Sequence, residues 1–486
     1  MLAQTVRKWL ELKLVLWYTR HDMNAIIVGA GVTGTVLARS LIAKGHNVVL
    51  IDPDEDTARH AANQLDCMVI ADRGNKISVL FDAGIERADV LIVVTESDEV
   101  NLITCGIVES LNPEIFKIAR VRNPDYLETF MLPGQKLLGV DKIVFPDEVA
   151  TTAIVKAIEH GAISDVMAFE NSEYEIVRFT INENSILNGL KIAEIHKHVP
   201  CHFVVVSIEE GDENIIPSGS TVLKPNIKLS ILTHLDNVKV FYELAGFKVK
   251  PLRKIAIVGM GRIGKMIAEH LLKKASVGFF KKLFRTTANR NIIIIEKDEA
   301  VAKDAAQKFP DALVYNADIM NEGFIEEAAI HECDLVITVT QNYELNMIAS
   351  TLLKNLGVDK TITLVQSPTM EAIANKIGID VVISYKGAVA DAILSHLSGK
   401  NVTAVHTIGT GTLEILEITV SETSQIISKS IKDFAEHGVF LVMLVERNAL
   451  SFLPNGTTEL SVGDRVVLIC QSSESQRISK MISGEQ

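Results

Sequence analysis

The chain has 486 residues, of which 48% are hydrophobic and 22% charged, and its formal net charge is −13. That length suggests about three domains with apolar material for more than one core, and the acidic balance excludes a surface built to neutralise nucleic-acid phosphates. Five scattered cysteines without a CxxC pair indicate neither a zinc site nor a disulfide framework and fit a reducing cytosol.

Residues 1–22 include the apolar stretch "WLELKLVLWY", which carries Glu11 and Lys13 and is too short to span a bilayer. It reads as an amphipathic surface helix, or else as a dispensable leader or an upstream start. The leader is preferred, because Met23 stands directly before the first strand. "AIIVGAGVTG", Ala25 to Gly34, predicts an apolar strand, a tight glycine turn and a helix. "NVVLIDPDED" is a β-branched strand ending in Asp52, and "CMVIAD" one ending at Asp72. "DVLIVVTESDEVN" and "FKIARVRNPDY" add two more strands, each separated from the next by a helical stretch. Strands alternating with helices imply a parallel sheet, and apolar runs such as "VLIVV" fit one covered on both faces.

From about Asp165 to Phe247 the pattern changes to short strands and turns, a small α+β unit. Then the first pattern returns. "IAIVGMGRIG" repeats the glycine turn, "NIIIIEKDEA" ends in Glu296, and "ALVYNAD" places Asp318 where the first copy has Asp72. "DLVITVTQNYELN" matches "DVLIVVTESDEVN", with Thr340 and Asn346 for Thr95 and Asn101, and "TITLVQSPTM" matches "KIARVRNPDY". The last stretch repeats the small unit, and "GDENIIPSGSTVL" and "RNALSFLPNGTTEL" read as matching hairpins. The expected organisation is a leader at 1–22, Rossmann-like parallel-sheet domains at 23–162 and 251–400, and α+β subdomains at 163–250 and 401–486. The second copy is longer between its third glycine and its acid. The extra piece includes "SVGFFKKLFRTTANR", read as a solvated loop insertion, or else as a basic patch touching a partner or lipid headgroups.

The glycine turns carry the chemistry. Gly29 permits the tight turn, Gly31 lets the backbone approach a pyrophosphate, and Gly34 lets helix pack on strand; Gly259, Gly261 and Gly264 repeat this. Ala30, Val32 and Thr33, and Met260, Arg262 and Ile263, supply the intervening N–H groups at a helix N-terminus. Asp52 and Glu296 suit both ribose hydroxyls and would meet a 2′-phosphate with a carboxylate, so NADP is disfavoured while NAD(H), ATP and ADP stay open; the competing reading of Asp52 is a turn former. Asp72 and Asp318 are ligand contacts or helix N-caps. Thr95 and Glu96 end the fourth strand and line the same crevice. Arg120 offers a cation for phosphate where the second copy has Leu364, so ATP and ADP are expected to prefer the first site. A dehydrogenase would need an acid/base and a substrate anchor. His196 and His198 fall on different helix faces, and His406 and His437 are isolated, so no catalytic or metal pair is expected.

The doubled "IIVGAGVTG…VLIDPDED…IAD…VTESDEVN…IARVRNPDY" with its small α+β unit resembles the TrkA family of regulatory subunits of Trk potassium uptake systems, built from tandem RCK (KTN) domains. The resemblance runs from Met23 to about Ile482. It implies a non-enzymatic cytoplasmic ring, peripheral on the inner face of the cell membrane beneath a channel subunit. Four chains would give eight Rossmann units, and NAD(H) or adenine nucleotides would gate the pore. By matched motif it implies ligand contacts from Gly29 to Thr33, Asp52, Thr95, Glu96 and Arg120, and from Gly259 to Ile263, Glu296, Thr340 and Gln341. The leader, the basic insertion and Leu364 depart from the family pattern.

Overall fold

The structure, a computed structural model, describes residues 23–43, 45–126, 137–159, 166–168, 172–211, 213–246, 252–272, 291–397, 402–408, 412–448 and 450–484. The leader at 1–22 and the basic insertion at 276–290 lie outside the described residues.

The first sheet is formed by β1 (Asn24–Val28), β2 (Asn47–Asp52), β3 (Met68–Ala71), β4 (Val90–Val93), β5 (Phe116–Arg120) and β6 (Lys142–Val144). Its order is β3-β2-β1-β4-β5-β6 and every pairing is parallel. Its helices are α1 (Val32–Ala43), α2 (Glu55–Gln64), α3 (Ile77–Asp82), α4 (Asp98–Leu111) and α5 (Pro146–Glu159). β4 is buried along its whole length, as its unbroken apolar run requires in a sheet covered on both faces. The reversal of strand order between β1 and β4 opens a crevice at the carboxyl ends of those strands, where ligands bind in such sheets.

A small antiparallel unit follows, with β7 (Val166–Ala168), β8 (Tyr174–Thr180), α6 (Ile192–Ile195), β9 (Phe203–Glu210), β10 (Glu213–Ile215), β11 (Lys228–His234) and α7 (Val238–Leu244). The second parallel sheet has β12 (Lys254–Val258), β13 (Asn291–Glu296), β14 (Leu313–Asn316), β15 (Leu335–Thr338), β16 (Lys360–Val365) and β17 (Val381–Ser384). Its order, β14-β13-β12-β15-β16-β17, repeats the first. Its helices are α8 (Arg262–Leu272), α9 (Glu299–Lys308), α10 (Glu322–Glu327), α11 (Tyr343–Asn355), α12 (Pro368–Lys376) and α13 (Tyr385–Leu397). The last unit has β18 (Val402–Ile408), β19 (Leu413–Thr419), α14 (Ile431–Phe434), β20 (Phe440–Arg447), β21 (Leu450–Phe452), β22 (Arg465–Gln471) and α15 (Ser475–Ser483). The hairpins expected from the matched sequences form as β9–β10 and β20–β21.

Packing does not follow chain order. The two parallel sheets with their helices make one compact unit, and the two small units make the other. Within the first, the last helix of each copy is exchanged. α5 belongs to the first copy by sequence, yet its Ala150, Ile154, Ala157 and Ile158 enter the core of the second, with Ile255, Ile257, Ile267 and Ile362. α13 reciprocates by packing on α1. Within the second unit, Ile176, Val206 and Leu232 pack with Ile415, Met443 and Ile469 in one apolar cluster. Each copy therefore completes its core with apolar groups from the other.

Candidate functional site

Both glycine turns take the same form. Gly29 has φ +108° and Gly259 φ +96°, a region that L side chains rarely adopt. A Cβ on Gly34 would stand 1.8 Å from the Gly29 carbonyl oxygen, and one on Gly264 2.0 Å from that of Gly259, so helix and strand meet only without one. Gly31 and Gly261 face open space, with nothing within 4 Å of the position a Cβ would take. Those turns have room for a ligand's phosphates. Gly31 is the first acceptor of α1, from Thr35 N–H at 2.9 Å, and has no side chain to cap the first-turn N–H groups. The helix ends thus leave donors and positive dipole for an anion.

Each acid closes onto its own turn. One Asp52 carboxylate oxygen accepts from Ala30 N–H at 2.7 Å and the other from Asp54 N–H at 3.0 Å. Glu296 does the same with Met260 N–H at 2.7 Å and Asp298 N–H at 2.9 Å. The turn-forming reading and the ligand reading of Asp52 are compatible. An ionised carboxylate has about four acceptor positions, and two remain for ribose hydroxyls.

The Thr–Asn pair at the end of the fourth strand is a buried lash. Asn101 is 0% exposed. Its side-chain oxygen accepts from Thr95 N–H at 3.0 Å and the Thr95 hydroxyl at 2.6 Å, while its amide donates to the carbonyls of Thr95 (3.1 Å) and Arg120 (2.7 Å). Asn346 repeats the set with Thr340 at 3.0, 2.6 and 3.0 Å and with the Leu364 carbonyl at 3.0 Å. The asparagines were absent from the expected ligand residues. Their signal was their recurrence six residues beyond the threonine in both copies, and their work is to tie the ends of two neighbouring strands at the crevice.

Asp72 and Asp318 are not N-caps: α3 is capped at Lys76 and α10 at Asn321. Asp72 accepts from Lys76 and from Arg73 N–H, each at 2.6 Å, and these bonds lower its pKa. Asp318 accepts from Met320 N–H at 3.0 Å and pairs with Lys297 at 2.9 Å, which lower its pKa. Glu96 and Gln341 are exposed beyond the strand ends. His196, His198 and His437 are exposed, and His196 stacks on Phe203 with ring centroids 4.3 Å apart. Among the described residues no group of three or more His, Cys, Asp or Glu is placed to hold a metal, and no helix is long and apolar enough to cross a membrane.

Arg120 lies at the seam between the copies. It is 9% exposed, and its Nε has no hydrogen-bond partner among the described residues. Burial, and then Arg122, lower its pKa, against Tyr385 of the second copy and Glu96 and Asp98 of its own. Leu364, its counterpart, is buried in the apolar core that α5 enters. Across the same seam Asp147, in the first turn of α5, accepts from the Tyr385 hydroxyl at 2.7 Å and pairs with Arg262 of the second glycine turn at 3.0 Å. Arg262 also donates to the Arg122 carbonyl at 2.8 Å. Burial and this carboxylate hold the Tyr385 phenol well above its ordinary range.

Comparison with known proteins agrees with the duplication. The chain is 28% identical over 464 residues to the Trk system potassium uptake protein TrkA homolog 1 of Methanosarcina mazei, covering 94% of this chain and 99% of that one. It is 27% identical to TrkA of Halomonas elongata, covering 92% and 95%. Among solved structures, the GsuK RCK domain superposes with a TM-score of 0.54 at 17% identity, covering 96% of each chain. The GsuK channel bound to NAD gives 0.54 at 18%, covering 96% of this chain and 80% of that one. At that identity the likeness is one of fold. The TrkA-N domain family matches residues 25–146 and 255–385, and the TrkA-C domain family matches 176–246 and 415–483. With these domains alternating N, C, N, C over most of its length, the chain belongs to the TrkA family.

Proposed function

We propose that this chain is a nucleotide-binding regulatory subunit that gates a Trk-type potassium uptake channel, and that it is not an enzyme. The observation that carries this reading is the pair of complete dinucleotide turns, each with an acid and an open central glycine. The potassium uptake function named for the relatives, and the NAD bound by the GsuK channel, support it. The ligand is NAD(H), ATP or ADP. Gly29 to Gly34, Asp52, Thr95 and Glu96 would hold it at the first site, with Arg120 behind them at the seam. Gly259 to Gly264, Glu296, Thr340 and Gln341 would hold it at the second, and Asp72 and Asp318 flank the ribose ends.

When bound, the nucleotide supplies phosphate charge and hydrogen-bonding groups, not bond making. The turns orient its phosphates, the acids fix its ribose, and the seam registers occupancy. A ligand that binds two arrangements of the copies unequally shifts their populations, which suffices for gating. The assembly is a ring of four chains with eight Rossmann units, on the inner face of the membrane beneath the channel subunit.

The test is calorimetric titration of the full chain with ADP and with NAD. Asp52→Ala is expected to weaken the first site by about 1.5–3 kcal/mol, the range for hydrogen bonds to a charged group. It also frees the Ala30 N–H, so Asp52→Asn, which keeps an acceptor there, should lose less. Unchanged affinity would reduce Asp52 to a turn residue. Turnover of a substrate with NADH would overturn the non-enzymatic reading, and potassium flux insensitive to nucleotide when reconstituted with the channel subunit would overturn the gating reading.

A further inference from the structure

The exchanged helices carry opposite charges to matched places at the seam. Strand register pairs Arg120 with Val144 and Leu364 with Ile383, so Asp147, three residues after Val144, corresponds to Lys386, three after Ile383. The glycine turns differ at the facing position, where Arg262 of the second copy corresponds to Val32 of the first. At the second site the turn's own cation is held by Asp147 of the first copy at 3.0 Å. α13 packs on α1 as α5 packs on α8, and by the near-symmetry of the two copies we infer that the Lys386 end of α13 faces the first turn, where Val32 offers no charge. Lys386 is half-buried, its N–H donates to the Gln366 carbonyl at 3.1 Å, and its ammonium has no ion pair among the described residues.

Resting on the nucleotide-binding reading above, we propose that Asp147 and Lys386 set the phosphate preference of the opposite copy's site. Asp147 neutralises Arg262, so a phosphate at the second turn must compete with a carboxylate for that guanidinium. Lys386 gives the first turn a cation that its own residues lack. Each turn keeps its own acid, and the seam side chains add about zero charge at the second turn and a positive charge at the first. The more highly phosphorylated nucleotide belongs at the first site, and a ligand that draws Arg262 from Asp147 loosens the second copy from the first. Arg120, two strands from the glycine turn and buried at the seam, is not needed for this preference.

The experiment titrates the full chain with ATP and with adenosine, which lacks phosphate, isolating the first site with Glu296→Ala and the second with Asp52→Ala. Lys386→Gln is expected to weaken ATP at the first site about 5- to 10-fold and leave adenosine unchanged, with Lys386→Arg retaining affinity. Asp147→Asn, which keeps an acceptor for Tyr385, is expected to tighten ATP at the second site about 3- to 10-fold, an effect that Arg262→Gln removes if the two side chains are coupled. The inference is overturned if the ratio of ATP to adenosine affinity is unmoved in both backgrounds. It is equally overturned if the Asp147→Asn effect persists without Arg262, since the carboxylate would then act through its field alone. If neither ATP nor NAD binds the unaltered chain, the nucleotide-binding reading falls and this inference with it; binding with unmoved ratios removes this inference only.

Discussion

Lys117→Thr is expected to destabilise the protein by about 3–5 kcal/mol, the range for removing one partner of a buried ion pair. Lys117 is 0% exposed on β5, beside the edge strand β6 of the first sheet. Its ammonium pairs with Glu109 at 2.8 Å and Asp141 at 3.6 Å, and donates to the Ile115 carbonyl at 2.6 Å. Threonine would leave two carboxylates facing each other across its place. The second copy shows how the same site is built without a lysine on the strand. There Thr361 takes the place of Lys117, and the cation comes from the helix as Lys354, in the place of Glu109. Lys354 contacts the two Asp380 oxygens at 2.8 and 2.7 Å, and the Thr361 hydroxyl donates to Asp380 at 3.1 Å. Adding Glu109→Lys to Lys117→Thr therefore rebuilds the second arrangement in the first copy, and it should recover most of the loss. Urea unfolding of the single and double variants checks this. A double variant no more stable than the single one would show that the two copies do not share this solution.

Asn101→Ala is expected to cost about 3 kcal/mol or more, because it orphans the Thr95 N–H and the carbonyls of Thr95 and Arg120, and each buried group left unsatisfied costs about 1–3 kcal/mol. The loss concentrates where function is proposed, since the lash joins the ends of β4 and β5 at the crevice. Nucleotide affinity at the first site should fall with stability while the second site keeps its own lash through Asn346. Asn101→Asp should not rescue, because a carboxylate oxygen would replace the amide that donates to two carbonyls. Asn346→Ala should mirror the result at the second site. Denaturant unfolding with ADP titration reads both quantities. A stability loss without a loss of first-site affinity would separate the lash from the ligand.

The repeated units, the parallel sheets, the glycine turns and the acids at the ends of β2 and β13 were legible from sequence. Each is fixed by local rules. A strand buried on both faces is apolar throughout, a turn needing positive φ takes glycine, and an acid ending the strand beside the turn accepts from the turn's N–H whatever the length of the loop between them. The family followed from the same residues, because the Thr–Asn element recurs at equal spacing in both copies. Tertiary structure alone decided what joins the copies. The apolar face of α5 reads as an ordinary amphipathic helix, and nothing in its spacing says that Ile154 completes the other sheet. Lys117 in "FKIAR" offers no local sign that it is buried, since its partners lie on α4 and before β6. Arg120 ends a strand at the expected edge, but its surroundings come from a helix start more than 250 residues later in the chain. Asp147 is likewise an ordinary first-turn helix residue until the exchange sets it beside Arg262 and Tyr385 of the other copy. Periodicity and turn chemistry act over a few residues, whereas the partner of a charge at a seam is set by which surfaces meet after the chain has folded.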